Sequence, residues 1–400
     1  MKQFVLLLAL LFCFTAFGYS ADFGLLLNQN MEAENKLLTY SPGFVPWLSW
    51  NGGEGVSFYI SADFSFKYYI NTDTDNLDET SGWSKPPLCI ELGRTALTYR
   101  INPQYSLEAG RIGYSDALGL TASGLFDGAR MEAVFDAGTL YAGVYYTGLL
   151  YKETANIIMS PSDSDNYSKP WDYGSFGDYF ASRRLMLGVR WDMPLLEYQR
   201  LSLEGIFQFD VNGNSDSYHS QYGEAFIEYF LPNNMALGGG FVLEAFEAGG
   251  NFGIGFGLLG RLKTEVPGSL NDGFSLAVKS SSGSWSDTVT FFTPISSVTQ
   301  GNIFPGSISG ITVISAEYDI RITEALYAEA CFRYFISPWD NPVLSGNLYG
   351  GELWGSLVVQ PLEDFRLTCG GGAFLPNMGN AYPSDFDTMW KVIISLTLSF

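Results

Sequence analysis

Histidine is almost missing: His219 is the only one in 400 residues. Hydrolytic sites need a nucleophile with a base, or a carboxylate paired with His, so one His argues against an enzyme. Charge is scarce too, at 16%, against about 25% in an ordinary soluble domain. Base is scarcer than acid: 21 Lys and Arg face 42 Asp and Glu, for a net charge of −21. Phosphate binding needs clustered Lys and Arg, which removes nucleic acid as a partner. Cys13, Cys89, Cys331 and Cys369 lie too far apart for a disulfide framework or a zinc-ligand pattern. Beyond the N-terminus, no stretch supplies the roughly 20 apolar residues of a membrane helix.

What is present begins at the N-terminus. Lys2 precedes an apolar run from Phe4 to Phe17, broken only by Thr15, with small residues following at Gly18, Ser20 and Ala21. A basic start, a short apolar core and a small-residue exit describe a secretory signal peptide. It covers residues 1–21, with cleavage after Gly18 or Ala21 and one mature domain over 22–400. Glycine is high at 45 residues, and aromatics reach 16%. With low charge, this composition suits strands that are wet on one face and lipid-facing on the other. A secreted β-sandwich shares it.

Alternation separates the two. From Trp390 to Phe400 the even positions are Trp390, Val392, Ile394, Leu396, Leu398 and Phe400; most odd positions, from Lys391 to Ser399, are polar. Side chains alternate across a strand, so this segment has one apolar face and one mostly polar face. Val56 to Tyr68 and Leu201 to Asp210 repeat the pattern, as do segments near 129–135, 181–193, 235–246, 252–262, 274–280, 325–335, 351–360 and 364–375. Most reach the roughly 10 residues that a tilted strand needs to cross hydrocarbon.

Charge follows the polar parity. Asp63, Lys67, Arg130, Glu132, Arg184, Arg190, Asp192, Glu204, Asp210, Glu244, Glu329, Arg333, Glu352 and Arg366 all fall on it, with Lys279 and Lys391. Arg183 is the exception, at a segment end. A basic side chain facing lipid at the midplane costs about 2–4 kcal/mol, so this placement marks an inward, pore-lining face. Rings of such charge set ion preference, and the acidic loops predict weak cation selectivity.

Tight turns fit Asn51-Gly52-Gly53-Glu54, Asn102-Pro103, Asp136-Ala137-Gly138, Leu231-Pro232-Asn233-Asn234, Asp319 to Thr323, and Pro361-Leu362. Longer polar stretches alternate with them at 30–43, 71–86, 114–126, 151–179, 212–219, 281–309, 336–347 and 376–388. The fold class is therefore all-β: a closed antiparallel transmembrane barrel of about 18 strands, with 16 as the alternative because 247–310 is weakly patterned. Short turns belong on the periplasmic side and long loops outside. The stretch 151–179 is a candidate for folding inward as a constriction.

The terminal strand ending on Phe400, the signal peptide and the alternating loops resemble porin-type outer-membrane barrels of Gram-negative and related diderm bacteria. The phrases Phe23 to Gln29, Gly124 to Arg130 and Tyr146 to Tyr151 resemble a poorly described subgroup of them. The resemblance implies passive diffusion of small hydrophilic solutes through an outer-membrane channel. It also implies lipid contact, and assembly through Phe400 as the signal read by the barrel-assembly machinery. An oligomer is compatible with it; no cofactor or metal is called for. The competing class is a surface adhesin or structural barrel that acts through its loops.

Two candidate sites lie outside the lumen. His219 lies close to Asp216 and reads as a solvated residue at the outer end of a hairpin. Asp73, Asp75, Asp78 and Glu79, and separately Asp163 and Asp165, offer the oxygen ligands that hard cations take. The glycine and terminal Glu of a Ca²⁺ loop are out of register after Asp73, so solvated loops are the expectation.

Overall fold

Period-two alternation closes into a ring. The computed structural model describes residues 20–71, 81–266, 272–284, 286, 288–338, 346–383 and 385–400. The leader up to residue 19 and the run Asp73, Asp75, Asp78 and Glu79 lie outside these residues. The strands are β1 (Ser20–Glu34), β2 (Leu37–Gly53), β3 (Val56–Asn71), β4 (Gly82–Arg100), β5 (Tyr105–Ser115), β6 (Ser123–Phe135), β7 (Gly138–Tyr146), β8 (Arg184–Leu196) and β9 (Gln199–Asp210). They continue as β10 (Tyr218–Leu231), β11 (Met235–Ala248), β12 (Asn251–Val266), β13 (Asp272–Ser281), β14 (Thr312–Thr323), β15 (Leu326–Ile336), β16 (Leu348–Leu362), β17 (Phe365–Leu375) and β18 (Met389–Ser399). Each pairs with its sequence neighbours, and β1 pairs with β18 from Leu26↔Ser399 to Glu34↔Lys391. The 18-stranded sheet therefore has no end strand, which is what a wall in hydrocarbon requires. Phe400 extends the closure by exchanging two 2.9 Å backbone hydrogen bonds with Leu25.

The two faces differ as the parity requires. In β8, Leu187, Val189 and Trp191 are exposed while Arg184, Met186 and Asp192 are buried; in β9, Leu203, Phe207 and Phe209 are exposed while Ser202, Glu204 and Gln208 are buried. An exposed apolar band of this extent is a surface for lipid rather than water. Among the described residues no helix is long and apolar enough to cross a membrane.

Several boundaries differ from the sequence reading. Residues 30–43, expected as a long connection, are the ends of β1 and β2, joined by a tight turn at Asn35 and Lys36. Pro42 and Pro46 pair with Gln29 and Leu25 of β1, while the β2–β3 pairs run through Tyr40, Gly43, Phe44 and Trp47 and skip both prolines. A strand tolerates proline where the missing N–H is not needed. Similarly, β4 begins at Gly82 and runs through Pro86 and Pro87. The turns expected at Asp319 to Thr323 and at Pro361-Leu362 fall slightly later, at Glu324-Ala325 and Glu363-Asp364.

Long connections gather at one rim, and three of them turn into the barrel. Leu118 and Leu120 from 116–122, Leu150, Ile157 and Met159 from 147–183, and Phe292, Ile295 and Phe304 from 282–311 form one buried cluster with wall residues Tyr222, Phe226, Val242 and Phe335. The hydrophobic core of this molecule lies inside its own lumen.

Candidate functional site: a constriction of inward loops held by wall carboxylates

Loop backbone is polar and must be satisfied wherever water is excluded. The wall supplies acceptors at those points. Glu352 of β16 is fully buried and accepts from the N–H groups of Asn302, Ile303 and Phe304 at 2.9–3.0 Å, and from Arg333 Nη1 at 3.0 Å. Glu244 of β11 accepts from Thr293 N at 2.8 Å and from the Tyr218 hydroxyl at 2.9 Å. Glu204 of β9 accepts from Ala117 N and the Tyr114 hydroxyl, each at 2.7 Å. Glu224 of β10 accepts from Thr121 Oγ1 at 2.6 Å. Within the first loop, Asp116 accepts from the amides of Leu118, Leu120, Thr121 and Ala122.

The loop 147–183 carries two short helices, α1 (Lys152–Ala155) and α2 (Pro161–Ser168). Ser160 and Asp163 form a reciprocal capping box at the start of α2, which satisfies otherwise orphaned amides. Asp163 is buried and pairs with Arg184 of β8, which also bonds Asp210 at 2.8 Å. The solvated-loop expectation therefore fails for Asp163, because the Arg184 guanidinium compensates a buried carboxylate. Asp165 is exposed, so the two do not join in one cation site. The loop reaches across the lumen: Lys67 Nζ pairs with Glu153 at 3.0 Å, Thr154 Oγ1 donates to Glu91 at 2.9 Å, and Ser297 N donates to Asn156 O at 2.9 Å. Asp216 accepts from Ser162 N at 2.8 Å, and that donor holds its carboxyl below the usual carboxylate range. Burial lowers the Lys152 ammonium from its ordinary value.

The remaining sequence candidates scatter around the ring. Asp63 lies in register with Glu91. Arg130 pairs with Glu108 at 2.6 Å; Arg190 and Arg200 both pair with Asp192, at 3.1 and 2.7 Å. Arg130, Glu132, Arg190 and Glu204 share a cavity of about 280 Å³. Glu329 and Arg366 are exposed and have no ion pair among the described residues. His219 lies in β10 beside Phe209, which is exposed on the outer face, and its Nδ1 accepts from Asp210 N at 3.2 Å. Asp216 points elsewhere, to Ser162.

A second cavity, of about 430 Å³, opens beside the third loop and is lined by Arg261, Lys263, Lys279, Gln300, Glu317 and Arg333, among others. Arg261 is paired to Glu228 at 2.6 Å and Arg333 to Glu317 at 3.3 Å. Lys263 and Lys279 have no ion pair among the described residues. The sequence reading missed Asp116, Glu224, Arg111 and Asp127. The last two sit opposite each other on β5 and β6 and make a bidentate 2.9 Å pair. One signal was available for them: Arg111 shares the parity of Leu107 and Ala109, where charge is not expected.

No protein-family model matches the chain, and no curated protein matches it. Solved structures do match. The outer membrane protein OpdK from Pseudomonas aeruginosa is similar at TM-score 0.61 and 14% identity, over 95% of this chain and 99% of its own. OpdK with vanillate from the same organism is similar at 0.62 and 13%, over 95% and 98%. P. aeruginosa OccK5 (OpdH) is similar at 0.60 and 11%, over 95% and 98%. At these identities the likeness shows a shared barrel fold.

Proposed function

We propose that the chain is a substrate-preferring channel of a bacterial outer membrane, through which small hydrophilic solutes diffuse passively. The observation that carries this reading is the constriction: three loops narrow the lumen on fixed carboxylate anchors and leave charged cavities beside it. A barrel serving only as a scaffold for surface loops has no use for such an arrangement. The likeness to an outer membrane protein over almost the whole chain supports the location.

The expectation of weak cation preference rests on the acidic loops. The constriction favours the opposite sign locally. Glu204, Glu244 and Glu352 are used up by loop amides, whereas Lys279 and Lys263 face the cavity of about 430 Å³ beside Arg261 and Arg333. Charged rings at close quarters outweigh distant screened charge, so solutes carrying an anionic group are favoured. Export by the leader, cleaved after Gly18 or Ala21, and assembly through Phe400 complete the reading. The test is single-channel recording of the refolded mature protein in a planar bilayer. Steady open steps with anion over cation preference are expected; insertion without conductance overturns the channel.

A further inference from the structure

The wall is not paired along its full height. β5 pairs with β4 only from Thr95↔Arg111 to Arg100↔Ser106, whereas β4 stays paired with β3 up to Tyr69↔Gly82. Between the two regimes the register shifts: Ile60 faces Thr95 but Ala62 faces Leu92, so Gly93 and Arg94 bulge opposite Ser61. A bulge bends its strand and interrupts pairing. The exposed parity changes across it, from Tyr99 and Leu97 to Leu92 (40% exposed) and Ile90 (51%). Pro86 and Pro87 then follow, with no N–H to offer a neighbour.

Side chains stand where a partner strand would. The carbonyls of Pro86, Leu88, Ile90 and Leu92, at alternate positions, accept from Ser84 Oγ, the Tyr173 hydroxyl, the Tyr179 hydroxyl and Arg111 Nη1 at 2.7–2.8 Å. Tyr173 and Tyr179 belong to the loop 147–183, where both meet Trp171 edge-on and Tyr179 stacks on Tyr151 and Phe176, with Cys89 packed against the cluster. A strand tilted about 40° climbs roughly 2.5 Å per residue, so the apolar band of about 25 Å counted up from Tyr99 ends near Cys89. Ile90 and Leu92 thus sit at the outer end of the hydrocarbon, where an open sheet edge is not tolerated. Two phenol hydroxyls and one guanidinium close it instead of a ladder.

Behind this seam lies a cavity of about 220 Å³, lined by Glu91, Arg111, Phe126, Leu150, Thr154 and Ala155, among others. An apolar cavity of about 150 Å³ takes a benzene ring. Arg111 is spent on Asp127, Leu92 O and Leu149 O. Glu91 accepts only from Thr154 among the described residues, through Oε2, which leaves Oε1 for a donor on a ligand. We propose that the β4–β5 seam is a lateral entrance from the outer leaflet to this cavity, for single-ring molecules bearing a hydrogen-bond donor, such as phenols and aromatic amines. The route goes beyond the axial channel and does not depend on it.

The test uses the folded protein in lipid vesicles with 4-fluorophenol as probe, followed by ¹⁹F NMR. Saturable binding is expected. Ala155→Leu fills the cavity and should weaken binding at least tenfold; Ala155→Val replaces it if the larger side chain prevents folding. The pair Tyr173→Phe and Tyr179→Phe unlatches the seam and should speed exchange severalfold. With Cys89, Cys331 and Cys369 changed to Ser, a bulky maleimide on Ile90→Cys should slow exchange at least tenfold relative to the same label on Val189→Cys, which faces lipid on β8. Non-saturable uptake, or wild-type affinity in the filled variants, overturns the cavity. Exchange indifferent to the Ile90 label overturns the lateral entrance while leaving the axial channel untouched.

Discussion

Glu352 illustrates what a single inward carboxylate does here. It satisfies three loop amides and one guanidinium from a position shielded from water. Removing one partner of a buried charged pair typically costs about 3–5 kcal/mol, because the other is left uncompensated. Glu352→Ala should lose stability on that scale in urea melts of the micelle-bound barrel, and Glu352→Gln should lose less, since it keeps an acceptor. Arg184→Met should cost a similar amount, about 3–5 kcal/mol, because it leaves Asp163 and Asp210 facing each other; the same melt measures it. That Glu352 and Arg184 point inward was legible from strand parity. What they hold was not, because the amides of Asn302 to Phe304 lie on another element and strand periodicity carries no information about loops.

At the scale of elements, the loop 147–183 turns into the barrel and contributes Leu150, Ile157 and Met159 to the cluster buried there. Its inward course was suggested by length and composition alone; its anchors, Lys67, Glu91, Arg184 and Ser297, come from four other elements. Deleting residues 157–178 should raise single-channel conductance, and an unchanged conductance would place the narrowing in the loop 282–311 instead. The contact between Ser162 and Asp216 ties this loop to the one before β10. Because folding lowers the Asp216 value, the contribution is fully present above the unfolded carboxylate value of about 3.9 and is lost as pH falls through the folded value. The protection factor of the Ser162 amide, its exchange relative to the intrinsic rate at each pH, should therefore fall below about pH 4, and Asp216→Asn should abolish that pH dependence.

For the whole molecule, closure and charge make separate predictions. Phe400 joins β1 through two backbone bonds, yet the residue is 71% exposed. Deleting it should lower the yield of assembled barrel in cells more than the yield of refolding in detergent, if the side chain is an assembly signal. Equal losses would assign it to closure alone. Lys279→Glu should shift the reversal potential toward cations by placing a negative charge beside Glu317 in the constriction cavity, and no shift would remove that cavity from the conduction path.

The chain by itself determined the ring: parity, strand length and charge placement are local properties, and each strand carries them independently of the rest. The same locality explains its errors. Pro42 and Pro86 read as loop because a proline is judged alone, whereas the sheet accepts it wherever the neighbouring edge asks for no N–H. Only the tertiary structure decided which carboxylates face water and which hold loops, where the lumen closes, and that β4 parts from β5 above Thr95. Those outcomes depend on which backbone groups remain unsatisfied after every strand has paired, and that can be counted only when the whole wall is assembled.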